Sequence, residues 1–243
     1  MTRTAILSDV HGNLPALEAV IADAEAQGCT RWLNLGDLLS GPLWPAETAD
    51  LLMSLDWPTI AGNHERQLLT VPPDRMNASD RHARATLTDA HLAWLASLPP
   101  TLTADGILLC HGTPSSDVRP LIETIELTGI RRATIEEITA RLECVSERLI
   151  LCGHTHLPAT VTLPDGRRAA NPGSVGLQAF VDDHPYPYRV ENGDPSARYA
   201  ILGSDGDLDL RAVPYDHAAA AAKAEREGHT DWAMALQTGK VEA

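Results

Sequence analysis

The sequence predicts an α/β protein with a parallel-leaning first part and an antiparallel last part. Three observations predict it. Over the first 64 residues, short apolar runs alternate with amphipathic segments. Each of those runs ends in a polar cluster, and ligands of parallel sheets gather at the carboxyl ends of strands. From Thr160 on, strand-like runs follow one another across turns, which is antiparallel grammar.

Taken in order, Thr4–Ser8 is an apolar run read as a buried strand that feeds Asp9-Val10-His11-Gly12-Asn13. Asn13 caps a helix to about Gln27, with Leu14, Leu17, Val20, Ile21 and Ala24 on one face, and Gly28 stops it. Trp32–Leu35 is a second strand ending in Gly36-Asp37, and Pro45 opens a helix to about Leu55. Thr59–Ala61 is a third strand ending in Gly62-Asn63-His64. Residues 78–98 read as helical with a break near Thr88, and Pro99-Pro100 ends them. Ile107–Cys110 is a strand running into His111-Gly112. Ala133–Val145 is an amphipathic helix, and Leu149–Cys152 is a strand running into Gly153-His154-Thr155-His156.

Thr160–Leu163, Arg168–Ala170, Tyr199–Leu202 and Leu208–Val213 are the later strands, with turns at Pro164-Asp165-Gly166 and Ser204-Asp205-Gly206. Asp182–Ser196, with its prolines, Gly193 and acids, is the most loop-like stretch. The tail, about 216–243, is Ala-rich and helical to about Glu227, with a second short helix at Asp231–Gln237. Those helices either cover a sheet edge or help form a homo-oligomer; the sequence leaves both open. No repeat or linker interrupts the chain, so residues 1–243 are expected to form one domain.

Composition bounds the function. The 243 residues are 44% apolar and 21% charged, which is globular composition with enough chain for a core. Lys and Arg total 19 against 33 acids, a net charge of −14. That balance argues against long nucleic acids and anionic membranes as partners. Residues 1–8 hold one Arg and a short apolar run before Asp9, which is not the pattern of a secretion signal. No stretch approaches the 18 apolar residues of a membrane span. The four cysteines form no CxxC pair and are expected as small buried residues in a reducing cytoplasm.

The chemistry lies at the strand ends. They carry Asp9 and His11, Asp37, Asn63 and His64, His111, and His154 and His156. Carboxylates, an amide and imidazoles are oxygen and nitrogen ligands suited to Mn²⁺, Fe, Zn²⁺, Co²⁺ or Ni²⁺. The other histidines (His82, His91, His184, His217 and His229) fall in predicted helices or loops and carry no such pattern.

In their order, D-x-H, GD, GNH, H and GHxH, these motifs resemble those of the calcineurin-like metallophosphoesterases. The resemblance runs from about residue 4 to residue 176. It is nearest to the small bacterial predicted phosphodiesterases, which also carry a GP-x-P-x-E stretch, here Gly41–Glu47, and Asn-Pro-Gly-Ser-Val-Gly, here Asn171–Gly176. It implies a four-layer α-β-β-α sandwich of two mixed sheets flanked by helices. It also implies two metal sites. One would be held by Asp9, His11, Asp37 and His156, the other by Asp37, Asn63, His111 and His154, with Asp37 bridging. His64 would stand beside the substrate phosphate.

The function so implied is hydrolysis of a small phosphate ester, a diester by preference, by water activated between two divalent ions, Mn²⁺ first among them. Ions of total charge +4 against two carboxylates leave a locally cationic site in an acidic protein, which suits a phosphate. A serine/threonine protein phosphatase fits Gly62-Asn63-His64-Glu65, but Leu38-Leu39-Ser40-Gly41 stands where that branch carries Asp-Arg-Gly. A dinucleoside-polyphosphate hydrolase fits the motifs. A non-catalytic scaffold would show degraded ligand positions, and none is degraded. Around the motifs, Ser8 and Cys110 are expected in the core, and Trp44, Tyr186 and Tyr188 in packing. Arg75, Arg81 and Arg84 are expected on a solvated helix face. Arg66, two residues past His64, either reaches a phosphate or lies on the surface.

Overall fold

The computed structural model describes residues 3–242. The first apolar run is β1 (Arg3–Leu7), followed by α1 (Leu14–Ala26), β2 (Cys29–Asn34) and α2 (Pro45–Leu55). Asn13 caps α1 as expected, its side chain accepting from the Ala16 amide. A short helix unforeseen in the sequence, α3 (Asn63–Thr70), starts at the GNH motif. Two more helices follow, α4 (Ala78–Thr86) and α5 (Asp89–Ser97), and the break falls at Thr88, which caps α5.

The middle of the chain holds β3 (Thr101–Ala104), β4 (Ile107–Cys110), β5 (Glu123–Glu126), β6 (Gly129–Arg132), α6 (Ile135–Arg141) and β7 (Leu149–Leu151). After these come β8 (Ala159–Thr162), β9 (Arg168–Asn171), β10 (Ala179–Asp182), β11 (Tyr188–Glu191), β12 (Ala197–Leu202) and β13 (Leu208–Val213). The tail forms α7 (His217–Arg226) and α8 (Thr230–Thr238).

Two mixed sheets result. One has the order β13-β12-β1-β2, with β1 and β2 parallel and the rest antiparallel. The other has the order β3-β4-β7-β9-β8, with β4, β7 and β9 parallel. The two-residue side-chain period of a strand explains why the sheets stack. Ile6, Leu33 and Leu35 from the first meet Leu109, Leu149 and Leu151 from the second in one buried cluster. On the outer face of the first sheet, Ala5 and Leu7 pack on Leu17, Val20 and Leu52 of α1 and α2. On the outer face of the second, Leu108, Cys110 and Ile150 pack on Ile138 and Leu142 in and beyond α6. The layers are therefore α-β-β-α, as the resemblance implies. Among the described residues, no helix is long and apolar enough to cross a membrane.

Several expectations need correction. Thr59–Ala61 is not a ladder strand: it contributes one parallel bridge, Asn34↔Thr59, because the Ala61 amide turns away to the Pro99 carbonyl. The expected helix Ala133–Val145 is cut to α6, since Arg167 takes the Leu142 and Val145 carbonyls. The loop-like stretch Asp182–Ser196 holds β11, paired to β10 and burying Tyr188 and Val190. Cys144 is exposed, unlike Cys29, Cys110 and Cys152.

Candidate metal centre

Every predicted ligand leaves the carboxyl end of a parallel strand or of the bridged segment beside one. Asp9 and His11 follow β1, Asp37 follows β2, and Asn63 and His64 open α3. His111 follows β4, and His154 and His156 follow β7. The stacked sheets thus bring five chain segments to one point. The backbone there is unusual: Asp9, His11, Asp37, His154 and His156 all have φ between 53° and 70°. That left-handed region is costly for residues with a Cβ and persists where surroundings hold it.

The side chains fall into two groups. Asp9, His11 and His156 form one, and Asp37, His111 and His154 the other. His11 Nε2 lies 3.1 Å from His156 Nε2, which is 3.2 Å from Asp9 Oδ1. His111 Nε2 lies 2.9 Å from Asp37 Oδ2 and 3.8 Å from Asp9 Oδ1, so the groups adjoin. The Asn63 side-chain amide places one polar atom 3.0 Å from His154 Nδ1, 3.2 Å from His111 Nε2 and 3.3 Å from Asp37 Oδ2.

Whether these residues fit cations is decided by where their lone pairs point. His11, His111 and His156 each place Nδ1 2.7 Å from a carbonyl, those of Ser40, Leu35 and Leu177. Each ring then donates from Nδ1 and aims Nε2 inward, the orientation a metal ligand needs. On His111, burial is outweighed by Asp37 and Asp9, which favour a proton at Nε2 and raise the ring to about 10, a positive charge that a bound cation would replace. Two facing Nε2 lone pairs at 3.1 Å repel unless a positive charge lies between them. Asp9 Oδ1 is fully buried without a hydrogen-bond partner. Two carboxylates and four imidazoles converging on one buried point have the chemistry of a cation site, and the residues fit one.

Charge follows the same geometry. Burial raises the Asp9 carboxyl, but His156 and His111 outweigh it and hold it below the usual range. For Asp37, burial is again outweighed, chiefly by His111 and His64. Burial pushes His11 and His154 down to about 4, keeping both neutral.

His64 is built differently. Its Nε2 stands 4.0 Å from Asp37 Oδ2 while its Nδ1 lies 2.8 Å from Asp80 Oδ1, and its side chain is one-fifth exposed. Burial works against its charge, yet Asp37 and Asp80 raise it to about 9. Asn77 fixes Asp80 from the cap of α4, its Nδ2 donating at 2.7 Å.

Residues outside the expected set complete the site. Glu65, fully buried, accepts from the amides of Asp37, Leu38 and Gly62 and ties the second and third motifs together. Gly62 is required where it stands, since a Cβ there would lie 2.3 Å from Asp37 Oδ1. Gly176 approaches as closely: a Cβ would lie 1.9 Å from the Val10 carbonyl, while its amide donates to Asp9 O. Two aromatic side chains also reach the site, Trp232 of α8 in the tail, edge-on to His11 at 5.9 Å, and Phe180 of β10, edge-on to His156 at 4.7 Å.

The sequence offered a signal for Glu65, which belongs to the quoted GNHE run, and for Asn171–Gly176. It offered none for Asp80 or Trp232, whose spacing from the motifs carries no period. Arg66 is engaged by Asp117 through two bonds of 2.6 and 3.0 Å. Arg81 turns to the Pro73 and Met76 carbonyls, away from the site. Trp44 packs on the tail, and Tyr188 is buried with its hydroxyl on Asp182, as packing residues should be; Tyr186 is exposed. Ser8 and Cys110 are buried, and burial pushes the Cys110 thiol up to about 12.

Comparison with known proteins agrees with the geometry. Residues 2–188 match the calcineurin-like phosphoesterase superfamily domain. A metallophosphoesterase from Sphaerobacter thermophilus aligns over 98% of this chain and 99% of its own, with TM-score 0.76 and 25% identity. A hypothetical protein from Pyrococcus horikoshii OT3 shares the fold over the full length of both chains, with TM-score 0.79 and 18% identity. An uncharacterised protein of Methanocaldococcus jannaschii is 24% identical over 252 residues, 94% of each chain.

Proposed function

Because the chain belongs to the calcineurin-like phosphoesterase superfamily, we propose that it hydrolyses a small phosphate diester with two bound divalent metal ions. One observation carries the reading: a buried set of inward-facing oxygen and nitrogen ligand atoms in two adjoining groups, beside a histidine that faces solvent. Asp9, His11 and His156 would hold one ion, and Asn63, His111 and His154 the other, with Asp37 shared. When bound, such a pair polarises the phosphoryl oxygens and lowers the pKa of water, and Mn²⁺ suits this oxygen and nitrogen set.

The chain's own residues supply the rest. Buried, neutral His11 and His154 add ligands without adding negative charge, so the site stays attractive to an anion. His64 has a fixed direction because Asp80 holds Nδ1, which leaves Nε2 at the mouth to donate to a phosphoryl or leaving oxygen.

The preference for a diester rests on missing positive charge. Leu38 and Leu39 are fully buried where a protein phosphatase would carry its arginine. Arg66, near enough to feel the charge of Asp37, is committed to Asp117. A singly charged diester needs less neutralisation than a doubly charged monoester. The test compares bis-p-nitrophenyl phosphate with p-nitrophenyl phosphate in Mn²⁺, against a chelator blank. The reading expects chelator-sensitive turnover with the diester faster. A faster monoester would move the assignment to a phosphatase.

A further inference from the structure

Glu123 is a buried carboxylate that the proposed reaction does not use. It starts β5, a charged strand of the β5–β6 hairpin outside both main sheets, and it is 2% exposed. Its backbone is fixed from α6, where Arg141 donates to the Leu121 and Glu123 carbonyls, both at 2.8 Å. Of its two carboxylate oxygens, Oε1 meets Arg132 and Oε2 accepts from Thr155 Oγ1 at 2.9 Å.

Thr155 is the residue between His154 and His156. Its hydroxyl is used in both directions: it donates to Glu123 and accepts from Asn171 Nδ2 at 3.0 Å, while the same amide donates to the Gly153 carbonyl at 2.8 Å. The residues on either side have φ of 70° and 58°. Two non-glycine residues in the left-handed region, one residue apart, persist only where the surroundings hold them. The chain Arg132–Glu123–Thr155–Asn171 supplies that fixing from behind the loop.

We propose that Glu123 is a positioning residue for the metal centre, acting through Thr155 to hold the His154–His156 loop in its ligating form. The inference rests on the metal-binding reading above. It adds that the hairpin, through Glu123 and Thr155, sets the affinity of the site. Because His154 and His156 stand in different ligand groups, the hairpin governs both halves of the centre at once. Partners behind a ligand commonly change metal affinity by about ten- to a hundredfold.

The experiment is calorimetric titration of chelator-stripped protein with Mn²⁺, alongside thermal unfolding of the metal-free form. T155V keeps the shape of the side chain and removes the hydroxyl; T155S keeps the hydroxyl. E123A removes the acceptor; E123Q keeps an oxygen for Thr155. The expected result is Mn²⁺ binding weakened about ten- to a hundredfold at both sites in T155V and E123A. T155S and E123Q should stay near wild type, and metal-free T155V should still unfold cooperatively, at a somewhat lower melting temperature. Wild-type Mn²⁺ affinity in folded T155V and E123A would overturn the proposal while leaving the metal centre standing. Absence of Mn²⁺ binding in the wild type would overturn both.

Discussion

His64 and Asp80 lie on successive helices, and their 2.8 Å contact gives an imidazole at the mouth a fixed direction. Two outcomes follow at this scale. H64A removes no proposed ligand, so it should bind Mn²⁺ like the wild type while turnover falls by about 10²–10⁴. Retained activity in that variant would remove His64 from the reaction. D80A should lose less, and unequally: if His64 protonates the leaving oxygen, alkyl esters suffer more than nitrophenyl esters, whose leaving group needs little help. Equal losses across a leaving-group series would limit Asp80 to packing. The ligands themselves were legible, because aspartate and histidine after short apolar runs leave few other uses. Asp80 was not, since only the packing of α4 against α3 brings it to His64. The left-handed backbone at five of the ligand positions was also hidden, because it depends on contacts between both sheets.

Among the elements, α1 shows how a local signal couples to the site. Asn13 caps it by accepting from Ala16, but its Nδ2 also donates to the Gly176 carbonyl at 2.8 Å and the Tyr215 hydroxyl at 3.0 Å. Those bonds join the first helix, the Asn171–Gly176 loop and the start of the tail. N13A should therefore cost more than a lone cap, roughly 2–3 kcal/mol in chemical unfolding. A loss below about 1 kcal/mol would show that only the cap matters.

The elements that followed hydrophobic period were legible. α2 falls on Pro45–Leu55, where Pro45 opens it and its apolar face repeats at helical spacing. The elements that were not legible lack that period. β5 and β6 read Glu-Thr-Ile-Glu and Gly-Ile-Arg-Arg, too charged to mark a strand, and form through arginine pairing instead. β11 is held by Tyr188 and Val190, alternate residues in a stretch otherwise dominated by turn formers.

For the whole molecule, the buried charge at Glu123 makes stability depend on pH in an unusual direction. Burial raises its carboxyl to about 7, against the pull of Arg132, Thr155 and Arg141. A raised carboxyl means that the folded state binds the proton more tightly. Its contribution is full below the unfolded value of about 4.5 and is lost as pH rises through about 7. The loss is up to ~1.4 kcal/mol for each pH unit within that window. Unfolding free energies of metal-free wild type and E123Q should converge near pH 4.5 and separate toward pH 8, with the wild type falling. Parallel profiles would show that Glu123 is ionised throughout.

In a chain of net charge −14, the proposed ions would make the point where five segments converge locally cationic, and this sets the decisive measurement. Chelator-stripped protein is titrated with Mn²⁺ while bound metal and bis-p-nitrophenyl phosphate turnover are read in the same samples. The account predicts negligible turnover without metal and full turnover only as two ions per chain are bound. Turnover without metal, or full turnover at one ion per chain, would contradict it.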